Sequence, residues 1–523
     1  MMSRGFSSVG QKLVSASVLR VGNLIGAAMA AFFLMPFVVH HLGDRIYGFW
    51  SLASAFIGYY NLLDLGLSSA ISQYICIALG RNDQAQCRLV FNTALRLQSA
   101  IGGVALLATC AIALAAPLFW HNAADARLFS KVIAIFGVNA ALGFPARVYG
   151  AVLQAQLRFD IDSWLANLGL ALRTGLTVWV ILAGGGLLAL AQVTLWSTLP
   201  VTALQIWFGR REAPWARIQN MSTELKVVKN FFSYSLYSFL AYLADIARFQ
   251  IDPLVISSFI GLVAVTHYKI AWVLVQYYMG ILIVSVGMLL PLLSRLHGKG
   301  DEAGLDKVFL FGTKLSCCYA VFVCLALISW GKPFINRWMG RNYEDAYFPL
   351  IALSLAALLD LCQRASIDLL FATFKHRFYT YINWAEGVLN VIFSVALARR
   401  FGILGVAMGT LIGSVVVRVI VQPWWVCRVS GRSYLGYMSF LGKNVLRSGF
   451  LALAAIGICA WGLRPSYLWL ISSAICTTAI YAAGCFWVVL DEKERELSLA
   501  ALKRNEFSRQ AEHEAAAPEV VVP

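Results

Sequence analysis

The residues of this chain that could do chemistry are charges set where charge is costly. Asp245, Arg248 and Asp252 stand at i, i+3 and i+7 of one apolar stretch, and Asp360, Arg364 and Asp368 at i, i+4 and i+8 of another. Such spacing puts each triplet on one helical face, where an arginine can pair with a carboxylate one turn away. Each triplet keeps one carboxylate in surplus. Two readings stay open: a charge-balanced stripe on a wet or protein-covered face, or a site whose spare carboxylate takes up a proton or Na⁺. Asp360 lies deeper than Asp368 and is the expected switchable member. Arg96, Arg147 and Arg173 occupy three earlier apolar stretches, where Asp64 is the only clear carboxylate. Lining a cavity, they would attract an anion, and the planar fork of guanidinium suits phosphate; the alternative is snorkelling toward headgroups. Glu386, Lys269, Lys314 and Arg418 complete the set. The candidate anion ligands are therefore Arg173, Arg147, Arg96, Arg364 and Arg248. The candidate ion-coupling residues are Asp360, Asp368, Asp245, Asp252, Asp64 and Glu386.

Other chemistry is missing from the sequence. There is no P-loop, nucleophile elbow or HExxH pattern, and Gly184-Gly185-Gly186 reads as a tight turn rather than a phosphate cradle. The eleven cysteines sit mostly in apolar runs without metal-ligand spacing. No cofactor, metal or catalytic residue is expected, so the chain reads as a non-enzyme.

The elements that must carry these charges follow from composition. Hydrophobic residues make up 60% of the 523, charged residues 13%, and mean hydropathy is +0.72. A soluble domain has about a quarter of its residues charged, so most of this surface must face lipid. A chain this apolar must be helical in the bilayer. Windows of about 20 apolar residues give about fourteen spans: 18–39, 46–78, 88–113, 129–153, 162–183, 187–208, 230–252, 263–294, 309–330, 347–371, 379–400, 402–427, 445–463 and 467–490. The first is expected to be an anchor rather than a cleaved signal. With both termini inside, the inside loops collect Arg81, Arg88, Arg210, Arg211, Lys226, Lys229 and others, while the outside loops hold few. That asymmetry sets the orientation and explains the net charge of +16 without nucleic acid. The outside loops are all short, which argues against a glycan polymerase or glycosyltransferase. His40-His41 ends a span, where an interfacial role fits. The tail from Asp491 alternates charge with leucine, as in a surface helix, and then loses pattern.

The chain also resembles itself at a shift of 217–218 residues. Pro36 matches Pro253, Gly43 matches Gly261, Tyr59-Tyr60 matches Tyr277-Tyr278, and residues 80–97 match 298–315. Arg147 falls on Arg364 and Arg158 on Lys375. Six spans separate the copies, so both run the same way through the membrane, which implies a pseudo-twofold axis along its normal. The expected fold is all-α: two parallel six-helix lobes, 1–208 and 230–430, joined by a cytoplasmic linker at 209–229. Two extra helices follow at 431–490, then a cytoplasmic tail at 491–523. Pro36 and Pro253 are expected to bend spans one and seven. Gly405, Gly409 and Gly413 should let helices approach closely.

The run LGDRIYGFWSLASAFIGYYNLLDLGLSSAISQYI (42–75) resembles the opening helices of polysaccharide transporters, the O-antigen and exopolysaccharide flippases. FGILGVAMGTLIGSVV (401–416) resembles their late FGxxGxA segment, and LLPLLSRLHGKGDEAGL (289–305) their eighth-span exit. The resemblance covers residues 15–430 and reaches the superfamily of multidrug, oligosaccharidyl-lipid and polysaccharide exporters. It implies cation-coupled flipping of a polyprenyl-diphosphate-linked oligosaccharide from the inner to the outer leaflet of a bacterial inner membrane. The diphosphate would be the anion for the arginines and H⁺ or Na⁺ the coupling ion, with membrane lipids, a polysaccharide polymerase and chain-length proteins as partners. The alternative within the superfamily is a cation-coupled drug exporter, whose mark would be one buried acidic site with an aromatic pocket and little cavity arginine.

Overall fold

Helix is the only regular secondary structure among the described residues of the protein. The structure, a computed structural model, describes residue 22, residues 26–217 except 65–66, 120–121 and 157, scattered positions from 239 to 248, and residues 250–495 except 287–288, 299, 374, 376, 460–466 and 493. Among these, nine helices are long and apolar enough to cross a membrane. One of them, Phe378–Ser430, holds two expected spans.

The first set of helices is α1 (Gly26–Leu42), α2 (Asp44–Leu62), α3 (Leu67–Gly80), α4 (Gln84–Phe119), α5 (Ala123–Ala155), α6 (Phe159–Leu182) and α7 (Leu187–Glu212). The second is α8 (Asp252–Phe259), α9 (Leu262–Val286), α10 (Leu289–Gly298), α11 (Glu302–Trp338), α12 (Tyr347–Cys362), α13 (Arg364–Ala372) and α14 (Arg377–Ser414). A π-helical stretch, Val415–Val421, leads into α15 (Gln422–Ser430), and α16 (Tyr434–Cys459) and α17 (Tyr467–Gly484) follow. The chain packs as two compact units. One holds residues to Tyr277 with Arg377–Val417, and the other Tyr278–His376 with the residues from Arg418.

The element boundaries repeat at the shift seen in the sequence. Helix α4 starts at Gln84 and α11 at Glu302; α5 ends at Ala155 and α13 at Ala372; α7 ends at Glu212 and α15 at Ser430. The caps repeat as well. Asp83 accepts the Gln86 backbone N–H at 2.9 Å, and Asp301 accepts that of Gly304 at 2.8 Å, each satisfying an orphan donor of the first turn. Gly184 and Gly402, a repeat pair, both have left-handed φ, 79° and 59°. Only glycine adopts that region cheaply. Gly402 thereby turns the chain between the expected spans 379–400 and 402–427. Beyond it Gly409 lies so close to Ser394 that a Cβ would overlap the serine's backbone.

A seam between α2 and α9 repeats in the same sense. Gly48 abuts the Leu262 carbonyl so tightly that no Cβ fits. Thr266, the repeat mate of Gly48, donates its hydroxyl to the carbonyl of Asp44, the mate of Leu262, at 2.7 Å. When i meets j and the mate of i meets the mate of j, a twofold relation is the cause.

Some expectations are corrected. The span 46–78 breaks after Leu62, because the Asp64 carboxylate takes the Ser68 backbone N–H (3.2 Å) and hydroxyl (2.7 Å), a local bond that competes with helix continuation. The span 347–371 divides at Gln363, whose φ of −95° and ψ of 8° leave the α region. Pro253 follows an expected span, 230–252, most of whose residues lie outside the described ones. It sits in the first turn of α8, where its missing N–H costs nothing. The tail is not a free surface helix at its start: Asp491 and Glu494 bind the buried Lys314 ammonium at 3.3 and 2.8 Å. The residues beyond Arg495 lie outside the described ones.

Candidate functional site

Ion pairs organise most of the expected charges, and they run between helices more than along them. In the first unit Arg248 Nε lies 2.9 Å from Glu386 Oε1 on α14. Arg147 donates to Asn61 Oδ1 (2.6 Å), lies 3.6 Å from Asp64 Oδ1, and stacks on Phe144. Gln98 donates to the same Asp64 at 2.7 Å. In the second unit Asp360 pairs with Arg418 of the π-helical stretch at 3.0 Å rather than with Arg364. Arg364 holds Asp368 at 3.4 Å. The surplus expected at Asp360 is thus neutralised from another helix. Arg96 is half-buried on α4, and Asp245 falls outside the described residues.

Two groups stand apart. Asp252, at the N-terminus of α8, is 3% exposed and has no basic partner among the described residues. Its Oδ2 accepts from the Tyr268 hydroxyl, while its Oδ1 is buried without a hydrogen bond. Helix α14 packs on α8 and supplies a further polar cluster. Asn390 donates to the Arg248 carbonyl at 3.0 Å, and its Oδ1 accepts from Ser394 (2.9 Å) and Thr410 (3.1 Å). A buried carboxylate with an oxygen that no hydrogen bond fills is a group that a proton or a small cation can occupy.

The second group is Arg173. Its side chain is exposed on α6, has no ion-pair or hydrogen-bond partner among the described residues, and lines a cavity of about 260 Å³. The walls are apolar: Ala27, Ala30, Ala31, Leu34 and Val38 of α1, with Tyr47 and Trp50 of α2 and Thr174 and Thr177 beside the arginine. Tyr47 and Trp50 also line a neighbouring cavity of about 250 Å³ with Ser51, Ser54, Gln250, Tyr268, Lys269 and Trp272. Lys269 likewise has no partner among the described residues. Sequence reasoning placed it among the less specific charges, because a lone lysine in an apolar helix has no periodic companion. The repeat register held the missing signal. Trp50 and Tyr268, Ser51 and Lys269, and Ser54 and Trp272 are repeat mates, so one face of α2 and the same face of α9 enclose the cavity.

A bundle of long apolar helices with repeated boundaries, and with cavity-lining charges that have no partner among the described residues, defines a polytopic membrane protein of transporter architecture. The same fold is found in the lipid II flippase MurJ in its inward closed conformation, with a TM-score of 0.72 at 12% identity over 90% of this chain and 98% of that one. The chain belongs to the polysaccharide biosynthesis protein family, whose model matches residues 42–348. It is 20% identical to the uncharacterized membrane protein EpsK of Bacillus subtilis, over 92% of this chain and 97% of that protein. It is 21% identical to a putative O-antigen transporter of Shigella flexneri, over 78% and 97%.

Proposed function

We propose that this protein flips a polyprenyl-diphosphate-linked oligosaccharide from the inner to the outer leaflet of a bacterial cytoplasmic membrane. The two six-helix lobes, residues 1–208 and 230–430, alternate access around the cavity, and both termini are cytoplasmic. The observation that carries the reading is Arg173: a guanidinium without a counter-charge among the described residues, in an alanine-lined cavity, in a chain of the polysaccharide family. An unpaired cation at bilayer depth costs several kcal/mol, which an anionic ligand offsets. The apolar wall suits the prenyl end and the bidentate fork suits a phosphate. A positive cavity disfavours a cationic drug as cargo.

Coupling is to H⁺ or Na⁺ through Asp252. Its carboxylate has no basic partner among the described residues, whereas Asp64, Glu386, Asp360 and Asp368 each meet an arginine. Tyr268 belongs both to the Asp252 pair and to the cavity wall, so an ion at one shifts the surface offered to a ligand at the other. Release outward requires the Gly48–Leu262 seam to part. A polysaccharide polymerase and chain-length proteins act downstream as partners.

The test is flipping in proteoliposomes with a fluorescent polyprenyl-diphosphate-linked oligosaccharide. Arg173→Ala, inserted and folded, loses flipping, and Arg173→Lys restores only part of it because a point charge lacks the fork. Normal flipping by Arg173→Ala overturns the reading.

A further inference from the structure

The cavity around Lys269 carries more information than an anion site needs. It lies at the α2–α9 seam, and its lining combines three chemistries. The first is a cation without a partner among the described residues, Lys269. The second is a pair of hydroxyls left unused: Ser51 Oγ and Ser54 Oγ are buried without a hydrogen bond, and Ser51 is only 7% exposed. The third is aromatic surface, Trp50 and Trp272.

Buried hydroxyls that bond to nothing cost about 1–3 kcal/mol each, so their retention beside a cavity points to a polar ligand that completes them. Indole faces supply apolar area for the C–H face of a pyranose ring, and hydroxyls and an amide (Gln250) suit its rim. The volume, about 250 Å³, is below the roughly 300 Å³ at the small end of ligand pockets. It holds one sugar ring and no repeat unit. The charge decides which sugar. Ammonium is a compact point charge suited to a single carboxylate, whereas the fork of Arg173 in the adjoining cavity is suited to phosphate.

We infer that the Lys269 cavity is a subsite for an acidic sugar, so that the glycan transported carries a carboxylate of the uronate type on the ring next to the diphosphate. The inference rests on the flippase reading above, with Arg173 at the phosphate and Lys269 one sugar further along.

The experiment uses the full-length protein in lipid nanodiscs and two synthetic probes, farnesyl diphosphate joined to glucuronic acid and farnesyl diphosphate joined to glucose, with binding followed by tryptophan fluorescence. The parent protein is expected to bind the glucuronosyl probe about tenfold more tightly, one decade for each 1.4 kcal/mol. In Lys269→Met the ratio between the probes falls to near one, and Lys269→Arg keeps most of it. Ser51→Ala combined with Ser54→Ala weakens both probes. Equal affinities in the parent overturn the inference without any variant being needed. Equal weakening of both probes by Lys269→Met also overturns it, since the lysine then serves the diphosphate. If Arg173→Ala leaves both affinities untouched, or neither probe binds, the flippase reading itself fails and takes this subsite with it.

Discussion

Replacing Asp360 by asparagine isolates the cost of one buried ion pair. Arg418 is 1% exposed, its Nε lies 3.0 Å from Asp360 Oδ1, and it also donates to Gln422. Asp360→Asn keeps the shape but leaves a guanidinium in a low-dielectric wall without its counter-charge. Breaking a buried pair from one side costs about 3–5 kcal/mol, or roughly two to four powers of ten in the folded-to-unfolded ratio. Removing both charges, as in Asp360→Asn with Arg418→Met, strands nothing and should recover most of that loss. The assay is thermal unfolding of the purified protein in detergent. Asp252→Asn serves as the comparison, because no described basic group depends on Asp252. A single variant that unfolds with the parent, or a double variant as unstable as the single, refutes the reasoning. Asp360 would then be free to act as a coupling group.

Other consequences are checked separately. Asp252→Asn is expected to stay within about 1 kcal/mol of the parent in stability, while flipping no longer responds to an imposed pH or Na⁺ gradient; an unchanged response removes Asp252 from coupling. Gly48→Val overpacks the seam against Leu262 by about 1–3 kcal/mol, which corresponds to a 5- to 150-fold shift toward the open seam. Labelling of a cysteine introduced at Ser51 reads it, and labelling equal to that of the parent background contradicts it. Reporter fusions at residues 220 and 515 should be active on the cytoplasmic side only, and outside activity at either would overturn the orientation.

The fold was legible because its signals are long. Apolar runs outlast any soluble helix, and a shift of 217–218 residues that holds for single glycines also held for helix ends and caps. The breaks at Asp64 and Gln363 were not legible, since each rests on one side chain or one backbone angle inside an apolar run. The charges were half legible. Helical spacing reports only partners on the same helix; for Arg364 it offered Asp360 and Asp368, and Asp368 is the partner observed. Glu386, which meets Arg248, and Arg418, which meets Asp360, come from remote segments that only packing brings near. What periodicity could not say was which charges would have no charged partner among the described residues. Those are the informative ones here, Arg173, Lys269 and Asp252.

The repeat explains why Lys269 and Asp252 have no charged counterpart in the first copy, where Ser51 and Met35 stand in their places. Duplication supplies a symmetric frame: α2 and α9 meet through mated contacts and enclose a cavity with mated faces. A cavity on such an axis would present the same group twice, and a symmetric pair of lysines facing each other would repel at close range. Divergence resolves this by keeping serine at 51 and lysine at 269, a hydroxyl opposite an ammonium. The same asymmetry appears around Pro36 and Pro253, where Asp252 precedes the second proline and Met35 the first. The ion-responsive carboxylate is thereby confined to one side of the seam, adjacent through Tyr268 to the cavity it must influence. A chain with symmetric chemistry would have no preferred side on which to sense an ion. An acidic residue at Met35 should accordingly add a second responsive site and broaden the gradient dependence. If Met35→Asp leaves that dependence unaltered in shape, the frame is symmetric in geometry alone and position 35 has no access to the coupling ion.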